Sequence, residues 1–320
     1  MPSQPMIHLV RHAQGFHNLG TEFHSLPDPR LTPLGESQCA KLQEEHFPAE
    51  RQQSISLITA SPLTRTLHTA FLTFKPALSS QGTKCKPTIL AIPDAQETSD
   101  YPCDTGSDVP VLKAFIEEQK WPVDLSLLTD TWNVKTLENR YSPASAAIKA
   151  RARDCRKLLR EKARDLASNG DENVEIVLVT HGGYLHYLTD DWEDAAKLSG
   201  TGWDNTEYRT YTFETSFLSD DDSQAHLTET RESRQRRGIS HPMPDHEEQK
   251  GLFDRVMQGW EDQGLQNPAK LSPAVADEEA AEEHGQQPAD LQRHVTQAAD
   301  EAEKTEINTQ NQPQSVTVRG

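Results

Sequence analysis

The chain has 320 residues, 34% of them hydrophobic, and a formal net charge of −18; its mean hydropathy is −0.75. So acidic a chain is a poor match for nucleic acid, whose phosphates need a basic footprint, but a locally basic pocket could still take a small phosphorylated molecule. No apolar run reaches membrane-spanning length, and the first strand starts almost at residue 1. Cys39, Cys85, Cys103 and Cys155 have no paired spacing, so the expectation is free thiols in a cytoplasmic protein, with the nucleus as a second location and no membrane partner.

In chain order, Ile7–Val10 reads as a buried strand ending in Arg11-His12. Residues 15–34 read as a loop broken by Gly15, Gly20, Pro27, Pro29 and Pro33, and Gly35–Phe47 has helical spacing. Ile55–Ala60 is a short strand. A helix over Leu63–Phe74 follows, with Ser61 as its expected N-cap and Pro62 in the first turn. Thr88–Ile92 is apolar. The stretch from Pro93 to Pro143 is irregular except for a helix near Val109–Gln119, and Ala144–Ala167 is a long helix. Val174–Thr180 is a buried strand that ends at His181-Gly182-Gly183, and Thr206–Phe213 has the look of an edge strand. Strands alternating with helices indicate an α/β fold: a three-layer α/β/α sandwich with a mostly parallel central sheet. The domain division expected is a catalytic domain over 1–218 and a largely disordered acidic tail over 219–320. Beyond Phe217 the composition turns to Glu, Asp, Gln, Ser and Pro. Within that tail Arg231, Arg234, Arg236 and Arg237 read as a solvated basic linker.

Three strand ends carry chemistry. Arg11 and His12 follow the first strand. Arg65 lies in the first turn of a helix, where the guanidinium and the positive helix end together suit an anion. His181 closes a third strand, before glycines that permit close backbone approach. In open α/β sheets, ligands bind at the carboxyl ends of strands. Two histidines and two arginines there suit a phosphoryl group, with arginines on its oxygens and one histidine attacking phosphorus. His17, His24, His68 and His186 match no zinc spacing and read as packed or partly exposed.

Taken together, Leu9-Val10-Arg11-His12-Ala13, Leu31-Thr32-Pro33-Leu34-Gly35, Ser61-Pro62-Leu63-Thr64-Arg65-Thr66 and Thr180-His181-Gly182-Gly183 resemble the histidine phosphatase superfamily (branch 1). Within it, the chain is similar to fungal phosphoglycerate-mutase-like proteins, in order from about Met6 to Phe213. The resemblance implies a phosphoglycerate-mutase-like fold and a phosphomonoester hydrolase working through a phosphohistidine at His12. Arg11, Arg65 and His181 would hold the phosphoryl group, with Asn18 assisting. No metal or cofactor is implied. Glu97, just after the Thr88–Ile92 strand, is the expected general acid, with Asp100 and Asp104 as neighbours that could be mistaken for it. Ala13 departs from the family pattern, since many members carry glycine there. Two other readings are a phosphoglycerate mutase, which returns the phosphoryl group to its substrate, and a scaffold that keeps the pocket and acts through its tail. The segment from Thr98 to Tyr141 is expected to cover the crevice, where Trp121, Trp132, Lys135 and Arg140 either touch substrate or pack. The turn from Cys103 to Ser107 either lines the crevice mouth or is only a turn.

Overall fold

The computed structural model describes residues 2–79, 84–197 and 200–272. Its strands are β1 (Met6–Arg11), β2 (Leu57–Ala60), β3 (Ile89–Ala91), β4 (Val123–Asp124), β5 (Glu175–Thr180), β6 (Tyr208–Phe213) and β7 (Leu227–Glu229). The helices are α1 (Pro33–His46), α2 (Ala49–Gln52), α3 (Thr64–Thr73), α4 (Lys75–Ser79), α5 (Val109–Gln119), α6 (Ser145–Ser168), α7 (Gly182–Thr189), α8 (Arg231–Arg236) and α9 (His246–Asp262).

The strands form one sheet in the order β4-β3-β2-β5-β1-β6-β7. The five from β4 to β1 are parallel; β6 pairs antiparallel with β1, and β7 antiparallel with β6. Because side chains alternate along a strand, each strand feeds two layers. Ile7, Leu9, Ile176 and Leu178 pack with α6, α7 and α9. Val10, Ile58, Val177 and Val179 face the opposite way, onto α1, α3, α4 and α5. This is the expected three-layer sandwich with a mostly parallel sheet.

Three expectations are corrected. Thr206–Phe213 does not end the sheet: β6 lies between β1 and β7. Ser61 is not the N-cap of α3. Proline keeps its predecessor extended, and the helix begins only at Thr64. Its first turn is capped from outside, since the Asp28 carboxylate accepts from the Thr64 amide at 2.8 Å and from the Thr64 hydroxyl at 2.8 Å.

The third correction is the boundary at 218. Residues up to 272 belong to the same compact unit as the sheet. Helix α9 opens with a capping box between Asp245 and Glu248. It presents Leu252, Phe253, Val256, Met257 and Trp260 to the core, an i, i+1, i+4, i+5, i+8 stripe that the polar average conceals. Two of the four arginines of the supposed linker, Arg234 and Arg237, are ion-paired as well. Glu229 is fully buried, with Arg237 at 2.5 Å and Arg234 at 3.3 Å, and Arg234 also reaches Glu193 at 2.8 Å. The remainder of the expected tail, 273–320, lies outside the described residues.

Candidate active site

Sheet register brings the functional residues together. Arg11 is paired with Thr180 across β1 and β5, and the His12 amide donates to the Thr180 carbonyl at 2.9 Å. His12 and His181 therefore leave adjacent parallel strands at one level, with ring centroids 5.2 Å apart. On the other side of β5, the Ser61 amide donates to the Val179 carbonyl at 2.9 Å, which brings the start of the β2–α3 turn to the same place.

The hydrogen bonds fix the state of both imidazoles. His12 Nδ1–H donates to its neighbour's carbonyl, Ala13 O, at 2.7 Å, and His12 Nε2 accepts from Arg65 Nε at 3.3 Å. The lone pair at Nε2 is thus on the side of the guanidinium. His181 is arranged likewise: Nδ1 accepts from Arg65 Nη2 at 3.0 Å and Nε2–H donates to Ser61 Oγ at 2.8 Å. Burial first, then Arg65, holds both rings well below the usual histidine range, so both are neutral near pH 7. Arg65 is fully buried and is anchored by Asp104 Oδ1 at 2.8 Å and by the Cys103 carbonyl at 2.6 Å. Asp104 in turn accepts from Ser99 Oγ at 2.6 Å. Burial also raises the Cys103 thiol, which is therefore no thiolate nucleophile.

A cavity of about 330 Å³ opens in front of His12 and is lined by Arg11, His12, Asn18 and Glu97 among others. Arg65 and His181 are fully buried beside His12 and do not themselves line the cavity. Arg11 Nη1 donates to the Trp203 carbonyl, while its Nε, buried, has no protein partner. Asn18 Oδ1 accepts from the Gly15 amide at 3.0 Å, and Asn205 Nδ2 braces the His12 carbonyl at 3.0 Å.

Glu97 sits at the N-terminus of α7. Its Oε1 accepts from the amides of Thr98 at 2.9 Å and Tyr184 at 2.8 Å, and Oε2 accepts only a longer bond from Gly183 at 3.2 Å. A Cβ at residue 183 would lie 2.8 Å from Glu97 Oε1, so glycine there makes room for this carboxyl group. Burial, then the nearby Asp104, raises the Glu97 carboxyl above the ordinary range. Its main-chain carbonyl is held by Lys135 Nζ at 2.9 Å and Arg151 Nη2 at 2.9 Å. Asp100 is exposed and accepts from Gln266 at 2.8 Å; Asp104 is committed to Arg65.

The structure also draws in residues that the sequence reading set aside. His17 and His24 line the cavity, and the His17 ring lies 5.3 Å from that of His12. Cys103 and Asp104, from the turn left undecided, line it too. His68 stacks on Trp121 at 4.8 Å, and both His186 nitrogens meet backbone carbonyls, those of Asp191 and Thr201. Trp132 is fully buried and Arg140 pairs with Asp94 at 2.7 Å; neither touches the cavity. Ala13 adopts no positive φ, and its amide donates to Thr69 Oγ1 at 3.0 Å, so alanine fits that backbone. Among the described residues, Glu214, His226 and His246 could each offer a ligand atom within 4.8 Å of one another. They are apart from the cavity and largely exposed. At His12 the adjacent guanidinium groups oppose a bound cation.

The family model for the histidine phosphatase superfamily (branch 1) matches residues 7–79, which carry His12, Arg11 and Arg65. A phosphoglycerate mutase-like protein of Arabidopsis thaliana is 29% identical over 222 residues, covering 57% of this chain and 72% of the relative. The N-terminal part of this chain is thus similar to the histidine phosphatase superfamily. Among solved structures, this chain is similar to a mycobacterial glucosyl-3-phosphoglycerate phosphatase at 15% identity and a TM-score of 0.41, over 71% of this chain and 97% of that one. The ecdysone phosphate phosphatase of Bombix mori gives 14% identity and a TM-score of 0.43, over 65% and 89% of the two chains.

Proposed function

We propose that this chain is a phosphomonoesterase that works through a phosphohistidine at His12, with Arg11, Arg65, His181 and Asn18 around the phosphoryl group and Glu97 as general acid. One observation carries the reading: His12 is a neutral imidazole whose Nδ1–H is fixed on Ala13 O, so that its Nε2 lone pair is presented beside two guanidinium groups. Such a nitrogen is a competent nucleophile, and the tautomer needs no rearrangement.

In the first half-reaction, His12 Nε2 bonds to phosphorus as the ester P–O bond breaks. The departing oxygen takes a proton from Glu97. In the second, water attacks phosphorus, gives its proton to the Glu97 carboxylate, and the P–N bond breaks to free phosphate and neutral His12. Burial supports Glu97 in starting protonated, and Oε2, with its single long hydrogen bond, is the oxygen able to carry the proton. Asp104 is less suited, because losing its charge would loosen Arg65. The arginines offset the charge that develops on the phosphoryl oxygens.

The test is phosphate release across a panel of phosphomonoesters, with acid-labile phosphohistidine trapped on the protein. The His12→Ala protein is expected to lose both signals. A variant releasing phosphate from every substrate as fast as the parent would overturn the proposal.

A further inference from the structure

The lining of the cavity is of two kinds. One set of lining residues, Arg11, His12, His17 and Asn18, is polar and basic; another, Tyr101, Trp203, Trp260 and Leu265, is largely apolar. Trp260 and Leu265 come from the end of α9 and the chain just after it, and Trp260 is fixed by its indole N–H donating to the Gly200 carbonyl at 3.0 Å. Trp203 precedes the turn that braces His12, and the Arg209 guanidinium stacks over its ring, 3.7 Å from the centroid. Trp203 and Trp260 are packed into the core, 2% and 4% exposed, and offer the cavity part of their rings.

The distribution of charge is equally one-sided. Among the described residues lining the cavity, Arg11 is the only arginine or lysine, whereas Glu97, Asp104 and Asp204 supply carboxylates. A substrate with a carboxylate or second phosphate beyond its phosphoryl group would meet no further guanidinium or ammonium group in the lining, and Asp204 beside Trp203 would repel it. Charged groups buried without a partner are strongly disfavoured. Flat apolar groups gain from the tryptophans and the leucine. The volume of about 330 Å³ exceeds what a phosphoryl group needs and is in the range of small-molecule sites.

We propose that the substrate is the phosphate monoester of an uncharged aromatic or polycyclic apolar alcohol, selected by the Trp203–Trp260–Leu265 wall, and not a phosphorylated carboxylic acid or a bisphosphate. The substrate class rests on the phosphomonoesterase reading, while the wall itself can be tested by binding alone.

The full chain would be titrated calorimetrically with 1-naphthylmethylphosphonate, its ring-carboxylated analogue and phosphonoacetate, none of which can be hydrolysed. The uncharged aryl phosphonate is expected to bind at least tenfold more tightly than the other two. Leu265→Ala should cut that preference several-fold. Leu265→Arg should raise affinity for the carboxylated ligand at least as much, since it places a guanidinium on the wall. Leu265 is half-buried at the cavity edge, so both variants can fold; circular dichroism checks this. Equal binding of the three ligands, or a preference unmoved by both variants, would overturn the proposal. The same ranking in kcat/KM for 1-naphthyl phosphate over 3-phosphoglycerate is expected of the parent protein. Selective binding without turnover of any ester would leave the wall standing and remove the phosphomonoesterase reading.

Discussion

The phosphate-facing and apolar parts of the cavity lining are built in opposite ways. The phosphate-facing part comes from the end of β1 and the loop just after it (Arg11, His12, His17 and Asn18), backed by Ser61 and His181, which sheet register aligns with His12. The apolar part comes from the turn at 200–204 and the chain around α9, roughly 190 to 250 residues later in sequence than His12. Charge and hydrogen bonds dominate the first, aromatic surface the second. The difference teaches that reaction type and substrate choice can reside in separate stretches of chain, so one can change while the other is kept.

That division predicts distinct consequences for each part. The largest is at His12: His12→Ala should lower kcat by roughly 1,000-fold or more on every phosphomonoester alike, as removal of a nucleophile does. A loss confined to some substrates would break the division. Next comes Glu97→Gln, expected to cost about 100- to 10,000-fold for esters of poor leaving groups and much less in the phosphorylation burst with 4-nitrophenyl phosphate, whose oxygen departs without a proton, while hydrolysis of the phosphohistidine stays slow. In the parent, kcat on poor leaving groups should fall as pH rises through the raised Glu97 pKa, because the acid must be protonated. No limb from His12 should appear near pH 6.5, since its pKa is depressed. A Glu97→Gln protein that keeps the parent's alkaline limb would assign the acid elsewhere.

Smaller effects separate support from chemistry. Arg234→Ala leaves Glu229 and Glu193, both buried, short of a counter-charge, and should destabilise the protein by about 3 kcal/mol in denaturant unfolding. Phosphate chemistry in the folded fraction should survive. The smallest effect concerns the opposite end of β5. Burial would raise the Glu175 carboxyl, but hydrogen bonds from His8 and Arg51 hold it down at about 2. A depressed carboxylate gives stability that is present above pH 4.5 and lost as pH falls toward 2. Glu175→Gln should therefore flatten the acid limb of unfolding without moving kcat.

How much of this was legible follows from the same contrast. Arg11, His12 and His181 could be read because each directly ends a run of buried β residues, and Arg65 because it opens a helix after one. Glu97 could be placed behind Ile89–Ala91 for the same reason. Asp28 and Asp104, which hold the start of α3 and Arg65, lie in loops with no period to mark them. The spacing of Ser61 fits a helix cap, whereas its hydroxyl meets a histidine from another strand. After Phe217 the few large apolar residues are diluted by charge and hide the folded part, although Asp245-x-x-Glu248 and the stripe through Trp260 carry the signal.

The main-chain carbonyl of Glu97 is gripped by Lys135 and Arg151 while its carboxyl group rests on the amides of α7. A residue pinned at both its backbone and its tip has little freedom left to lose when a substrate arrives. Proton delivery should then carry only a small entropic penalty. Loosening the grip, as in Lys135→Met, would turn a preset donor into one that must first find its aim.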